Sequence, residues 1–134
     1  INAAAFAGFN VNVKYNADYD TAATLASVAG TYLIIGRSGR NIIVPNYVTV
    51  NAQGVFTNLE NGCTRTGTLV PRSSGKNIYN LTVAVSGTAC TSFPNGTVLT
   101  GVLHLDKTTV PSRFYSLALK ADKSDAMVIV GTKQ

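Results

Sequence analysis

The residue with the clearest capacity for chemistry is His104, the only histidine of the chain. Strand periodicity places His104 on the same face as Asp106, and a His-x-Asp pair can orient an imidazole as a general base. No serine stands in a Gly-x-Ser-x-Gly nucleophile elbow that such a base would serve. We therefore interpret His104 as a partly exposed strand residue beside a charge, and no catalytic residue and no enzyme activity are predicted.

The carboxylates support the same conclusion. The chain has six of them: Asp18, Asp20, Glu60, Asp106, Asp122 and Asp125. Glycoside hydrolysis requires two carboxylates that face each other across a cleft. The first two are typical of a turn and a helix cap, and the last two fall in a turn, so spacing supports no pair. Neither Cys63 nor Cys90 belongs to a Cys-x-x-Cys motif, so no metal site and no cofactor are predicted.

A glycine-rich segment, Gly36-Arg37-Ser38-Gly39-Arg40, combines loop amides with two guanidinium groups that could hold a phosphate or carboxylate. It lacks the Walker spacing and no helix follows it, so it is not a nucleotide loop. We interpret its arginines as solvated. The loops Gly36 to Asn41 and Gly87 to Gly96 remain the predicted interaction loops, with these candidate residues: Arg37, Ser38, Arg40, Phe93, Pro94 and Asn95.

Composition sets the class of protein. The chain has 134 residues, which suits one domain over 1–134. Apolar residues make up 46%, but only 13% are charged, about half the usual ~25%. The net charge is +5, and its basic residues are scattered without a run of five, so nucleic-acid binding is not predicted. We interpret them as solubility charges on loop tips.

The two cysteines, Cys63 and Cys90, are best explained as one disulfide, although a pair of unrelated buried thiols stays open. A disulfide implies an oxidising compartment: periplasm, cell surface or exterior. Closing a loop of about 27 residues would stabilise the fold by roughly 3–4 kcal/mol. No stretch approaches the ~20 apolar residues of a membrane helix. The chain begins at Ile1 without a Met, and we interpret it as a mature or trimmed form lacking its export signal.

Alternation of apolar and polar residues predicts about eight to nine strands, the first over Phe6 to Tyr15. One short helix, Ala22 to Ala29, is predicted between the first two strands, capped by Asp20 or Thr21. A long meander usually closes, which removes its exposed edges. We therefore predict a single antiparallel up-and-down β-barrel, with a sandwich as the alternative. Two sets of side chains should point inward: Tyr79, Leu81, Val83 and Val85, and Tyr115, Leu117 and Leu119.

Several segments carry a resemblance to known families. Ala23 to Tyr32, Cys63 to Arg72, Gly75 to Tyr79 and Ala121 to Thr132 resemble recurrent parts of uncharacterised exported proteins and predicted lipoproteins of Gram-negative bacteria. The resemblance implies a small exported barrel with paired cysteines, sometimes met as a surface antigen, and supplies no catalytic residues. Gly30-Thr31-Tyr32 after a short helix also resembles the lipocalin opening, with Tyr where lipocalins have Trp.

Together these features predict a non-enzymatic exported binding protein, monomeric and not membrane-spanning, with a possible lipid anchor in its precursor. Its partner would be a protein or a cell-wall component bound through the loops. One alternative is a lipocalin-like carrier of a small apolar ligand, in a pocket lined by Phe9, Tyr32, Tyr79 and Tyr115. Another is an inhibitor of a protease or lysozyme, with the Gly87 to Gly96 loop as its wedge.

Overall fold

The computed structural model describes residues 15–39 and 41–134. Eight antiparallel strands close into one barrel in simple sequential order, and the first strand pairs with the last. The strands are β1 Gly30–Ser38, β2 Asn41–Val50, β3 Val55–Glu60, β4 Cys63–Pro71, β5 Ile78–Ser86, β6 Val98–Asp106, β7 Arg113–Lys120 and β8 Ala126–Lys133. The predicted up-and-down barrel is confirmed. The strand predicted over Phe6 to Tyr15 lies, except for Tyr15, outside the described residues.

The wall of the barrel is weakest between β2 and β3. β2 and β3 pair only at Thr49–Thr57 and Val50–Phe56. β3 and β4 pair at six positions, and each of the other neighbouring strand pairs has seven or eight. A register shift between β1 and β2 occurs beside Pro45, whose missing N–H suits an edge or bulge.

The barrel interior is filled by alternate side chains. Tyr79, Leu81, Val83 and Val85 are at most 4% exposed, as predicted. The prediction for β7 is wrong: Tyr115 and Leu117 lie on the outer face, and the buried set is Phe114, Ser116 and Ala118. Both phases of this strand contain large apolar residues, so periodicity alone does not decide which phase faces inward.

One end of the barrel, which we call the helix end, is closed by two short helical turns. A 3₁₀ turn, Ala17–Asp20, is followed by α1, Leu25–Val28. The helix is shorter than the predicted Ala22 to Ala29, and its cap is Thr24, whose side chain accepts a hydrogen bond from the Ser27 N–H. Thr21 instead donates its hydroxyl to the Asp18 carbonyl, which holds the preceding segment outside the helix.

The opposite end, the disulfide end, carries the β1–β2, β3–β4, β5–β6 and β7–β8 connections. The Asn61–Gly62 turn has both residues at positive φ, as a tight hairpin requires. The prediction of a loop over Gly36 to Asn41 is mostly wrong, since β1 continues to Ser38 and β2 begins at Asn41. Backbone pairing with β8, which extends to Ser38–Met127, keeps this segment in the sheet despite its glycines.

Candidate binding surfaces

The disulfide end is covered by the loop between β5 and β6. Cys63 and Cys90 form a disulfide with Cα atoms 4.7 Å apart, which confirms the predicted bond and ties the start of β4 to this loop. Asn41 adds a second tie, since its side-chain amide donates to Thr91 Oγ at 3.1 Å and to Ser92 Oγ at 3.0 Å. The loop is therefore fastened to two different hairpins.

Phe93 was predicted to be an interaction residue of this loop, and this prediction is wrong. Its side chain is 2% exposed and belongs to the core cluster, so it plugs the disulfide end. Pro94 and Asn95 are exposed. The Asn95 side chain accepts a hydrogen bond from the Gly87 N–H at 3.1 Å, so the exposed part of the loop is a short turn with its own internal support.

The glycine-rich segment does not form an anion-binding loop. Because Gly36, Arg37 and Ser38 are strand residues, successive side chains point to opposite sides of the wall. Ser38 is fully buried, and its hydroxyl has no hydrogen-bond partner among the described residues. Arg37 is exposed on the outer face, and Arg40 lies outside the described residues.

The aromatic residues predicted to line a pocket occupy different places in the structure. Tyr32 and Tyr79 are fully buried, but their hydroxyls donate to backbone carbonyls of the helix-end cap, at Val28 and Thr24 respectively. Burial raises the pKa of Tyr32 to about 12 and raises that of Tyr79. They hold the cap in place and do not line the interior cavity. Tyr115 is 44% exposed on the outside, and Phe9 lies outside the described residues.

The outer face of β2, β1, β8 and β7 carries a continuous apolar surface that sequence reasoning missed. We call it the outer apolar surface, and it consists of Ile35, Ile42, Tyr115, Leu117 and Val128. Direct strand partners join Ile42 to Arg37, Arg37 to Val128, and Val128 to Leu117. Arg37 therefore lies within the surface. The sequence of β7 carried a signal for this surface. Large apolar residues occur in both phases of the strand, and a barrel wall can bury only one phase.

A polar cluster lies inside the barrel on β3 and β4, next to the weak pairing between β2 and β3. Asn58 and Arg65 are 6% and 9% exposed. The Arg65 Nη1 atom donates to Asn58 Oδ1 at 3.2 Å and to Glu60 Oε2 at 2.9 Å. Asn58 in turn donates to the Tyr47 carbonyl on β2, where backbone pairing with β3 has ended. Arg65 was interpreted from sequence as a solubility charge, but it lies on the same inward face of β4 as the buried residues Cys63, Gly67 and Leu69.

Two cavities meet at this cluster. The inner one, of about 50 Å³, has mostly apolar walls that include Val83, Phe114 and Ile129. The second, of about 260 Å³, opens at the disulfide end between β2, β3 and the β5–β6 loop. Arg65 and Ile43 line both. We call the second cavity the mouth; Arg65 separates it from the apolar interior.

His104 and Asp106 do not form a base and its orienting carboxylate. His104 Nδ1 lies 2.9 Å from the Asn77 carbonyl, to which it donates. Asp106 accepts from the Thr108 hydroxyl and N–H, and these bonds, against the effect of burial, lower its pKa. Each group is thus satisfied by a separate structural partner.

The buried carboxylate Asp18 also has a structural role. It accepts from the side-chain amide of Asn77 at 2.7 Å and from the Lys107 N–H at 3.1 Å, and it pairs with the Lys107 ammonium. Within 15–39 and 41–134, no cluster of three or more His, Cys, Asp or Glu side chains could hold a metal ion. No helix in these ranges is long and apolar enough to cross a membrane.

The geometry thus defines a small disulfide-linked β-barrel with an outer apolar surface and an inner polar cluster behind a mouth. Comparison of the chain with protein-family models, with curated proteins and with solved structures found no match.

Proposed function

We propose that the chain is a non-enzymatic exported domain, in the periplasm or at the cell surface, that binds a protein partner through the outer apolar surface. The observation that carries the proposal is the contiguity of that surface. Its five large side chains are 41–70% exposed and lie on four neighbouring strands. Soluble monomers rarely expose large contiguous apolar patches unless the patch has a binding role.

The charge of the surface indicates what kind of partner it fits. Arg37 lies between Ile42 and Val128 in the strand register, and no carboxylate of the described residues lies within ion-pair distance of it. The whole chain has a net charge of +5. A partner with an apolar patch and an acidic residue opposite Arg37 would complement both features, since opposite potentials speed association and fix register.

Export is supported by the Cys63–Cys90 disulfide, because such bonds persist in oxidising compartments. The low charge content and the resemblance to exported proteins of Gram-negative bacteria agree with it. A role as a surface antigen and a lipid anchor belong to the same proposal. The coding sequence upstream of Ile1 would test the location: it should encode a signal peptide, with a Cys after the cleavage point if the protein is lipidated.

Binding is tested in two stages. The oxidised protein first captures candidates from a periplasmic and surface extract, and each candidate is then purified and titrated by calorimetry. A true partner binds the wild-type protein with an affinity that falls as the salt concentration rises. Arg37→Glu should weaken this affinity by at least about tenfold, because it removes a charge pair and adds a repulsive contact.

The matched control is Arg72→Glu, a charge reversal at an exposed arginine near the helix end. It should leave the affinity unchanged. Sedimentation of the protein alone distinguishes a second copy as occupant: concentration-dependent dimers abolished by Val128→Asp would refute the hetero-partner proposal. Equal affinity of the wild type and Arg37→Glu for every captured protein would refute it as well.

The inhibitor alternative keeps one favourable observation. The exposed turn at Pro94 and Asn95 is held on its N-terminal side by the disulfide and the buried Phe93, and on its C-terminal side by the hydrogen bond from the Gly96 N–H to the Val85 carbonyl. A rigid loop is what an inhibitor inserts into a cleft. Lack of inhibition of lysozymes and periplasmic proteases at micromolar protein would remove this candidate. The carrier alternative has less support, because the 50 Å³ inner cavity is about a third of the ~150 Å³ cavity that holds benzene.

A further inference from the structure

The guanidinium of Arg65 is incompletely hydrogen-bonded. Its Nη1 atom donates to Asn58 and Glu60, but its Nε–H is buried and has no partner within the described part of the chain. A buried donor without an acceptor costs roughly 1–3 kcal/mol, and such groups in native structures call for an explanation. A bound acceptor oxygen at Nε would remove this cost.

The charge at the cluster favours an uncharged acceptor. Glu60 already neutralises Arg65 at 2.9 Å, and both side chains are largely buried, 17% and 11% exposed. A second carboxylate here would face the first across a region of low dielectric, where like charges repel strongly. A carbonyl oxygen supplies the acceptor without that repulsion.

The inner cavity limits what can accompany the carbonyl. It measures about 50 Å³ and is walled chiefly by apolar side chains. Compared with the ~150 Å³ that accommodates benzene, this space fits two or three carbon atoms. A short acyl group, such as acetyl, matches both the size and the polarity of the space, with its methyl among the apolar side chains.

The mouth defines the rest of the molecule. It is about 260 Å³ in volume and is lined by amide and hydroxyl side chains of Asn41, Asn61, Thr91 and Ser92. These groups both donate and accept hydrogen bonds, as sugar hydroxyls require. The missing pairing between β2 and β3 beyond Thr49–Thr57 leaves this side of the wall without a continuous hydrogen-bonded ladder.

We infer that the mouth and the inner cavity together bind an uncharged, hydroxyl-rich molecule through a short acyl group, whose carbonyl accepts from Arg65 Nε. The mouth shares only Ile42 with the outer apolar surface. Arg65 belongs to this site and Arg37 to that surface, so Arg65→Lys and Arg37→Glu test the two proposals independently.

Nuclear magnetic resonance of the full oxidised chain tests the site, with N-acetylglucosamine and glucose as probes that differ in the acetamido group. The acetylated sugar should shift the Arg65 Nε–Hε signal and the Val83 and Ile129 methyl signals. It should bind at least about tenfold more tightly than glucose, as one carbonyl hydrogen bond and one buried methyl predict. Equal binding of the two sugars, or an Arg65 signal that neither moves, overturns the inference. An ordered water alone at Nε overturns it too.

Two variants separate recognition from folding. Arg65→Lys keeps a cation beside Glu60 but removes Nε, and it should reduce the preference for the acetylated sugar by about fivefold, the share of the carbonyl hydrogen bond. Ile129→Val keeps Arg65 and enlarges the cavity by one carbon. It should shift the preference from N-acetyl towards N-propionylglucosamine by about fourfold, the value of one buried methylene. Val70→Thr, on the exposed face of β4, is the matched control and should change neither preference. An unchanged acyl preference in Ile129→Val refutes the placement of the acyl group.

Discussion

Removing the disulfide should destabilise the barrel by a calculable amount. The bond links residues 27 positions apart, and the chain-entropy relation for such a loop gives about 3.5 kcal/mol at 25 °C. For 134 residues, the unfolding entropy is about 280 cal/mol/K near the melting temperature. Cys63→Ala/Cys90→Ala should therefore melt about 12 °C below wild type.

The assay is thermal unfolding followed by circular dichroism, with and without a reductant. Reductant should lower the melting temperature of wild type towards that of the double variant, and it should leave the double variant unchanged. The barrel should still fold, because Phe93 and the Asn41 amide hold the same loop independently.

A drop below about 4 °C would refute the reasoning, since it would mean that the denatured chain gains little freedom when the bond is lost. A reductant effect on the double variant would show that the observed change has another origin. Complete unfolding of the double variant at 25 °C would refute the claim that the plug and the amide contacts hold the loop without the bond.

Three further predictions concern the core and the plugs, each measured by urea unfolding. Phe93→Ala should cost about 3–5 kcal/mol because a filled site becomes a cavity, and a loss under 1 kcal/mol would contradict its role as a plug. Gly131→Ala should cost roughly 1–3 kcal/mol, because the added methyl would overlap the Phe114 ring; an unchanged stability would contradict that packing. Burial alone would raise the pKa of Asp18, but hydrogen bonds and charge from Lys107 outweigh it, so the pKa is lowered. The contribution of the Asp18 carboxylate to stability is therefore fully present above pH 3.8, the ordinary pKa, and is lost as the pH falls through the lowered pKa. Asp18→Asn should therefore flatten the fall in stability below pH 4, and an unchanged slope would contradict this assignment.

The number of strands followed from the sequence because hydrophobic periodicity is a local property, and the sequential order followed because a long meander usually closes. Alternation in β5 located its inward residues correctly, since only one of its phases consists throughout of large apolar residues. In β7 the same method failed, because Phe114 and Tyr115 compete for the interior and the partner strands decide between them. The glycine-rich segment Gly36–Ser38 was predicted as a loop because glycine disfavours strands, whereas pairing with β8 holds it in the sheet.

The candidate sites were harder to predict than the fold. The Cys63–Cys90 bond could be expected from cysteine count alone. The burial of Phe93 could not, because a loop residue is drawn into the core only when the barrel leaves a space for it. Arg65 shows the same limit: its charge suggested solvent, and only its ion pair with Glu60 makes burial possible.

The sequence by itself determined the fold class of this protein, an antiparallel β-barrel, because alternation is read directly along the chain, and its two cysteines indicated a disulfide. The tertiary structure alone decided which apolar face stayed outside, which arginine went inside and which loop became a plug. Those outcomes depend on barrel closure, which brings distant strands together and forces their side chains to share one interior of fixed volume.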